Sequence, residues 1–143
     1  MRFHHILATT DLTDNGDQAV ACAFELAAEF GARVTLCHVL DALHPTSPMY
    51  AQLHPKGLFR PETQTAAESA ARRALDERVP APHAGVPHEI AVSHGQPADE
   101  IVRHAEERGC DLIVLTGGRR RHILGSVAEK VTRRARCAVL VMR

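Results

Sequence analysis

The most constraining feature of this chain is a regular alternation of two hydrophobic patterns. Short, almost continuously apolar runs rich in β-branched residues are typical of parallel strands covered on both faces. Between them lie longer segments whose apolar residues recur every three or four positions, as in amphipathic helices. The predicted strands cover residues 3–10, 33–40, 88–95, 111–118 and 137–142, and the predicted helices cover 14–31, 61–79, 97–109 and 127–135. This order predicts a single α/β domain over residues 1–143, a doubly wound, mainly parallel sheet of five strands with four helices on its two faces.

The ends of the helices carry their own signals. We expect Asp14 to be the N-cap of the first helix and Gly31 to end it in a left-handed conformation. Pro97 fits the first position of the third helix, and Gly109 fits its end. Residues 41–60 contain three prolines and no clean period, so they form a long connection of the kind that is either functional or disordered.

Composition excludes several classes of partner. The 17 basic and 17 acidic side chains balance, so no overall field favours nucleic acid or an anionic membrane, and any anion site must be local. The four cysteines form no CxxC pair, which indicates reduced, buried thiols. The ten histidines show no ligand spacing, and no metal site is predicted. No leader and no apolar stretch of about 18 residues is present, so we expect a cytoplasmic, soluble protein.

Two segments are candidates for ligand binding. In doubly wound sheets, ligands bind beyond the carboxyl ends of the strands where the strand order reverses, and the segments after the first and fourth strands are the candidates. The fourth strand is followed by TGGRRRHILGSVAEK, in which Gly125 and Ser126 precede a helix and could bind phosphate with free amides. Ser126 and Glu129 also fit a capping box that needs no ligand. The arginines at 119–121 could clamp phosphate or be solvated.

Asp11 follows the first strand, where a carboxylate could bind a ribose hydroxyl or a metal ion, or could simply form the turn. The chain has no P-loop, no GxGxxG and no GxSxG motif, and no nucleophile with an adjacent base. We therefore assign no catalytic residue.

These features together resemble the universal stress protein family over nearly the whole chain. The matching stretches are HHILATTDLTDNGDQAVACAFELAAEFGARVTLCHVLD, HGQPADEIVRHAEERGCDLIVLTGG and, most specifically, LGSVAEKVTRRARCAVLVMR. The resemblance implies an adenine nucleotide alpha hydrolase-like fold with strand order 3-2-1-4-5. It also implies a homodimer through the fifth strand, Ala138 to Met142, which would cover an otherwise bare apolar edge.

One branch of the family binds ATP, and its binding positions can be transferred to this sequence. The resemblance places the acid near ribose and phosphates at Asp11 and the adenine contacts at Thr9 and Val39. It places the phosphate loop at Thr116, Gly117, Gly118, Gly125, Ser126 and Val127. The loop is shorter than in the ATP-binding branch, with six residues between Gly118 and Gly125 where binders have nine.

Three functions are open at this point. The first is an ATP-binding regulatory protein, with Mg²⁺ as a possible companion and at most slow hydrolysis. The second is a dimeric stress protein that binds no nucleotide, because its loop is shortened, and acts through protein contacts. The third is an enzyme that uses residues 41–60 as a lid over an acid and an arginine cluster.

Overall fold

A computed structural model describes residues 1–41, 61–118 and 123–143 of the chain. The predicted connection beyond Asp41 and the arginines at 119–121 lie outside the described residues. In chain order the elements are β1 (His5–Thr9), α1 (Asp14–Phe30), β2 (Arg33–Leu40), α2 (Pro61–Asp76), a 3-10 turn (Ala81–His83), β3 (His88–His94), α3 (Pro97–Arg108), β4 (Leu112–Thr116), α4 (Ser126–Arg134) and β5 (Ala138–Met142). The predicted elements are all present; β2 has the predicted ends, and no end of another element differs by more than three residues.

The five strands form one parallel sheet in the order β3-β2-β1-β4-β5, which confirms the expected topology. The chain moves outward from β1 to β2 and β3, and then returns to the other side of β1 with β4. The strand order therefore reverses between β1 and β4. A crevice opens at such a point because the connections after the two strands run to opposite faces of the sheet.

Two apolar layers cover the sheet, which explains why its strands are almost continuously apolar. Ile6 and Ala8 point to the layer formed with α1 and α2, where Phe24 and Leu75 are fully buried. Leu7 points to the opposite layer, formed with α3 and α4. Fully burying a side chain of this size contributes about 1.5–3 kcal/mol. The two layers hold the carboxyl ends of the strands in fixed positions.

The predicted helix ends are partly confirmed. Gly31 and Gly109 end α1 and α3 in the left-handed conformation, with φ of +66° and +64°. The prediction for the start of α1 is wrong by one residue, since Thr13 is the N-cap and Asp14 is the first helical residue. Thr13 has this role because its amide and hydroxyl are both bonded to Asp11, which fixes its extended conformation.

A line of hydrogen-bonded polar side chains lies between the sheet and α3. It runs through His5, Thr35, Glu89, Arg108, His104 and Ser93, with contacts of 2.7–2.9 Å. Arg108 donates to Nδ1 of His104, so that the ring must be neutral and donates through Nε2 to Ser93. Burial lowers the pKa of both His5 and His104. His104 is therefore satisfied as a neutral group.

The four cysteines are free thiols, two of them buried and two half-buried. Burial raises the pKa of Cys37 and of Cys110 to about 12. Among the described residues, no helix has both the length and the apolar character needed to cross a membrane.

Candidate functional site

A cleft of about 650 Å³ opens where the carboxyl ends of β1, β2 and β4 meet the first turns of α1, α3 and α4. Its size falls in the usual range for small-molecule sites. Eight of the nine predicted site residues line it: Thr9, Asp11, Val39, Thr116, Gly118, Gly125, Ser126 and Val127. Gly117 does not line the cleft. Its amide donates to Met142 O at 2.7 Å and its carbonyl accepts from the Gly125 amide at 2.6 Å, so it supports the site from behind.

The β1 side of the cleft presents one oxygen of Asp11. Oδ1 accepts hydrogen bonds from the amide of Thr13 at 3.0 Å and from its hydroxyl at 2.5 Å. No described residue bonds to Oδ2, and Asp11 is exposed. The predicted turn role and the predicted binding role are therefore compatible, because Oδ1 builds the turn while Asp11 lines the cleft and its Oδ2 has no partner among the described residues.

The turn that carries Asp11 is strained. Leu12 has a φ of +65°, a conformation that bulky residues rarely adopt. Its amide donates to Thr10 Oγ1 at 3.0 Å, and its carbonyl accepts from Arg78 at 2.7 Å. Such a conformation costs about 1–3 kcal/mol and persists only where surrounding contacts enforce it.

Gly16 allows the first turn of α1 to pack directly on the Asp11 turn. A Cβ on Gly16 would lie 2.2 Å from Thr10 Oγ1 and 2.8 Å from Asp11 Oδ1. The sequence does not identify this residue as part of the site, since DNG is typical of a turn. Here Gly16 is instead a buried helical residue, and its lack of a side chain lets the acid sit against the helix.

The end of β2 presents main-chain groups to the cleft. Cys37 O bonds to the Thr10 amide on the β1 side, whereas Leu40 O bonds to the Gly95 amide on the β3 side. Because the groups alternate along a strand, the N–H and C=O of Val39 point toward β1. The β1 ladder has ended there, so these groups have no main-chain partner among the described residues.

His38 helps to leave these groups unpaired. Its Nδ1–H donates to Thr10 O at 2.8 Å and so occupies the carbonyl that would continue the ladder to Val39. Burial lowers the pKa of His38, which favours the neutral form of the ring. Sequence reasoning missed His38 as a cleft residue, because a single histidine in a strand gives no spacing signal.

The β4 side of the cleft is built from two glycines in contact. Gly118 has a φ of +103°, and a Cβ on it would lie 3.2 Å from the Cα of Gly125. The two ends of the shortened loop therefore lie in contact, and the bond from the Gly125 amide to the Gly117 carbonyl joins them. Although only six residues separate Gly118 from Gly125, both glycines line the cleft.

The predicted capping box at the start of α4 is wrong. Gly125 is the N-cap, and Ser126 is the first helical residue with no side-chain capping bond. Since the Gly125 amide is anchored to Gly117, its own carbonyl begins the helix and accepts from the Glu129 amide at 2.9 Å. Glu129 is then one position too late to cap and pairs with Arg133 instead. The exposed Ser126 hydroxyl has no partner among the described residues.

The electrostatics of the cleft come from these elements. The described lining includes the carboxylates of Asp11 and Asp41 but no arginine or lysine. The positive potential comes from the first turn of α4, whose residues line the cleft at the positive end of the helix dipole. Apolar residues, including Ile101 and Leu115, complete the wall. The site can thus take an anion at one end and a flat apolar group beside Val39 at the other.

Fold and cleft define a doubly wound α/β protein of the Rossmann-like type, with its binding crevice at the switch point. The chain belongs to the universal stress protein family, which it matches over residues 2–143.

Similar proteins of this family occur in bacteria and archaea. The chain is 31% identical to universal stress protein YxiE of Bacillus subtilis, with 99% of both chains covered. It is 34% identical to a universal stress protein of Methanocaldococcus jannaschii, covering 99% of this chain and 82% of that one.

Solved structures share the fold at lower identity. Universal stress protein UspA from Lactobacillus plantarum has a TM-score of 0.76 at 24% identity, with 100% and 99% of the two chains covered. A universal stress protein in complex with cAMP has a TM-score of 0.71 at 24% identity, covering 100% and 98%. The universal stress protein from Archaeoglobus fulgidus in complex with dAMP has a TM-score of 0.64 at 22% identity, covering 100% of both chains.

Proposed function

We propose that this protein binds an adenine nucleotide, ATP with Mg²⁺, in the switch-point cleft and acts as a regulatory protein with at most slow hydrolysis. One observation carries the proposal. Among the described residues, the cleft brings together an unpaired main-chain edge at Val39, an unshared carboxylate oxygen on Asp11, and an uncapped helix start at Ser126. These are the donors and acceptors that a base, a ribose and a phosphate require.

The base end of the site is Val39. Adenine carries a ring nitrogen that accepts a hydrogen bond next to an amino group that donates one. The unpaired N–H and C=O of Val39 supply the complementary pair, and the alternation of main-chain groups directs both toward the β1 side of the strand. Thr9 and Ile101 line the same cleft and restrict its width.

The phosphate end is the start of α4. Unpaired amides and the hydroxyl of Ser126 favour an anion there, and Gly118 lets the backbone approach closely. The described lining supplies no cationic side chain against a triphosphate. Magnesium would provide that charge, with Asp11 Oδ2 as an available oxygen ligand.

Two proteins of the same fold support the proposal that the ligand is an adenine nucleotide. Their structures contain cAMP and dAMP, both adenine nucleotides. The likeness to them is one of fold, so the proposal for this chain depends on its own cleft.

The test compares nucleotide binding of the wild type, Ser126→Ala and Ser69→Ala by calorimetry with MgATP. Ser126 makes no capping bond, so its replacement should leave the melting temperature unchanged. A lost hydrogen bond to a charged phosphate should weaken binding by about ten- to a hundredfold. Ser69 is an exposed serine on α2 outside the cleft, and its alanine variant should bind as the wild type does.

The same preparation gives a second measurement. Heating purified wild-type protein should release adenine nucleotide into the supernatant. No released nucleotide, together with no heat of binding at millimolar ATP, would remove the proposal. The nucleotide-free dimeric protein with a shortened loop would then take its place.

We also propose that the protein is a homodimer through β5. Met142 O bonds to the Gly117 amide, so the main-chain groups of Val139 and Val141 alternate to the open edge of the sheet. The strand is apolar and only half-buried, which makes an unpaired edge a liability. A second copy across a two-fold axis would pair it.

Sedimentation equilibrium of two variants tests this interface. Val139→Pro removes an outward donor while leaving the β4 ladder intact, and it should shift the protein to monomer. Val139→Thr keeps the N–H and the branched shape, so it should remain dimeric. A wild-type monomer at micromolar concentration would refute the dimer proposal.

A further inference from the structure

Arg78 lies just after α2, outside the cleft lining, and makes three contacts through its guanidinium. Its Nε donates to Asp17 at 2.9 Å, one terminal nitrogen donates to Ala74 O at 3.0 Å, and the other donates to Leu12 O at 2.7 Å. The Asp17 and Leu12 contacts join α2 to the Asp11 turn and to the first turn of α1. The side chain is 23% exposed, so these contacts are partly shielded from water.

The contact with Leu12 is the important one for the site. Leu12 occupies the left-handed region, and its peptide group would otherwise relax to remove that strain. Any such rotation moves the adjacent Asp11, which lines the cleft and whose Oδ1 is bonded to Thr13. Arg78 holds this carbonyl from outside the cleft lining.

The ion pair between Arg78 and Asp17 contributes less to holding the turn than the contact with the Leu12 carbonyl does. Asp17 is 44% exposed, and pairs of this kind contribute little because water screens them. The two carbonyl contacts are made by a planar, preorganised fork that lysine cannot reproduce. The fork therefore fixes the direction of the Leu12 carbonyl, whereas the pair with Asp17 mainly orients the fork.

We propose that Arg78 is a positioning residue of the nucleotide site, which holds the strained Leu12 peptide so that Asp11 presents its free oxygen to the ligand. This inference rests on the proposed adenine-nucleotide binding. Arg78 would then contribute to the affinity for the nucleotide without contacting the nucleotide.

The first measurement is MgATP affinity by calorimetry for Arg78→Gln and for Arg108→Gln. Arg108 is a matched control because it is 27% exposed and is paired with Glu89 near the amino end of β3, and neither residue lines the cleft. We expect Arg78→Gln to bind about tenfold more weakly and Arg108→Gln to bind as the wild type does. Arg78→Lys, which keeps the charge beside Asp17, should show the same loss and serves if the glutamine variant does not fold.

The second measurement separates positioning from general stabilisation. Asparagine tolerates the left-handed conformation, so Leu12→Asn should reduce the need for a restraint on this peptide. In the Leu12→Asn background, Arg78→Gln should lose less than threefold in affinity, even though it loses the same contacts in the fold. An undiminished tenfold loss in that background would show a structural role only and would overturn the inference.

The possible outcomes separate the two proposals. A wild type that does not bind MgATP removes the proposed function and this inference together. A wild type that binds, with Arg78→Gln and Arg78→Lys binding equally well, removes the inference alone. In the free protein, the amide resonances of Leu12 and Thr13 should shift in Arg78→Gln and stay in place in Arg108→Gln. Unshifted resonances in Arg78→Gln would contradict the restraint itself.

Discussion

Replacing Gly16 by alanine should destabilise the protein, although alanine is normally the better helix former. The new Cβ would lie 2.2 Å from Thr10 Oγ1 and 2.8 Å from Asp11 Oδ1, both far inside van der Waals contact. Relieving the overlap should cost about 1–3 kcal/mol. Movement of Thr10 would also break its bond to the Leu12 amide, a loss of about 1 kcal/mol. Alanine regains at most about 1 kcal/mol in helix propensity.

The expected net loss in the free energy of unfolding is therefore about 1–3 kcal/mol. In a domain of this size it should lower the melting temperature by about 3–10 °C. Urea denaturation followed by circular dichroism measures the same quantity, and MgATP affinity should fall as the acid is displaced. Gly85→Ala is the control, because a Cβ there meets nothing within 4 Å. A Gly16→Ala protein as stable as Gly85→Ala would refute the close packing on which the site description depends.

Three further predictions concern the rest of the fold. Burial lowers the pKa of His5 and His104, so the unfolded chain binds protons at a higher pH than the folded chain, and stability should fall as the pH drops through about 6.5. Urea midpoints at pH 7.5 and 5.5 measure this change, and His104→Gln should reduce it. Burial raises the pKa of Cys37 and Cys110 to about 12, so a disulfide reagent at pH 8 should modify no more than two thiols until denaturant is added. Gly109→Ala should cost about 1 kcal/mol in thermal unfolding, purely from its φ of +64°, since no atom lies near its Cβ.

The sequence predicts the elements well because their signals are local. Apolar runs of five to eight residues mark the strands, and Gly31 and Gly109 mark helix ends through a conformation that glycine adopts without strain. The strand order came from the family resemblance, and the observed sheet confirms it. The same signals bring both candidate segments to one edge of the sheet.

The errors occur where a hydrogen bond made outside the helix decides which residue begins it. Ser126 and Glu129 have the spacing of a capping box, but the bond from Gly125 to Gly117 moves the helix start back by one residue. Asp14 is likewise displaced as N-cap because Asp11 fixes Thr13. The contact between Gly125 and Gly117 cannot be read from residue types, since it depends on where two chain segments meet in space. The bonds between Asp11 and Thr13 are local, but the residue types alone do not show that they place the N-cap at Thr13 rather than at Asp14.

Residues that support the Asp11 turn give no signal in the sequence either. Gly16 lies in a stretch that is typical of turns, yet its role is to give room to two side-chain oxygens. Arg78 and His38 donate to main-chain carbonyls of the Asp11 turn. Since every residue has a main-chain carbonyl, such a bond requires no particular residue type at the accepting position and leaves no pattern in the sequence. Such residues become visible only when the turn itself is known.

The N–H and C=O of Val39, which have no main-chain partner in the part of the chain that the structure describes, have a consequence for how this site can diverge. Every amino acid except proline carries both groups, so exchanging the side chain alters the bulk of the wall but not its donor and acceptor. Selection on this position would then act on shape alone. A molecule recognised there could keep its hydrogen bonds through many generations of substitution, for as long as the neighbouring strand continues to stop short.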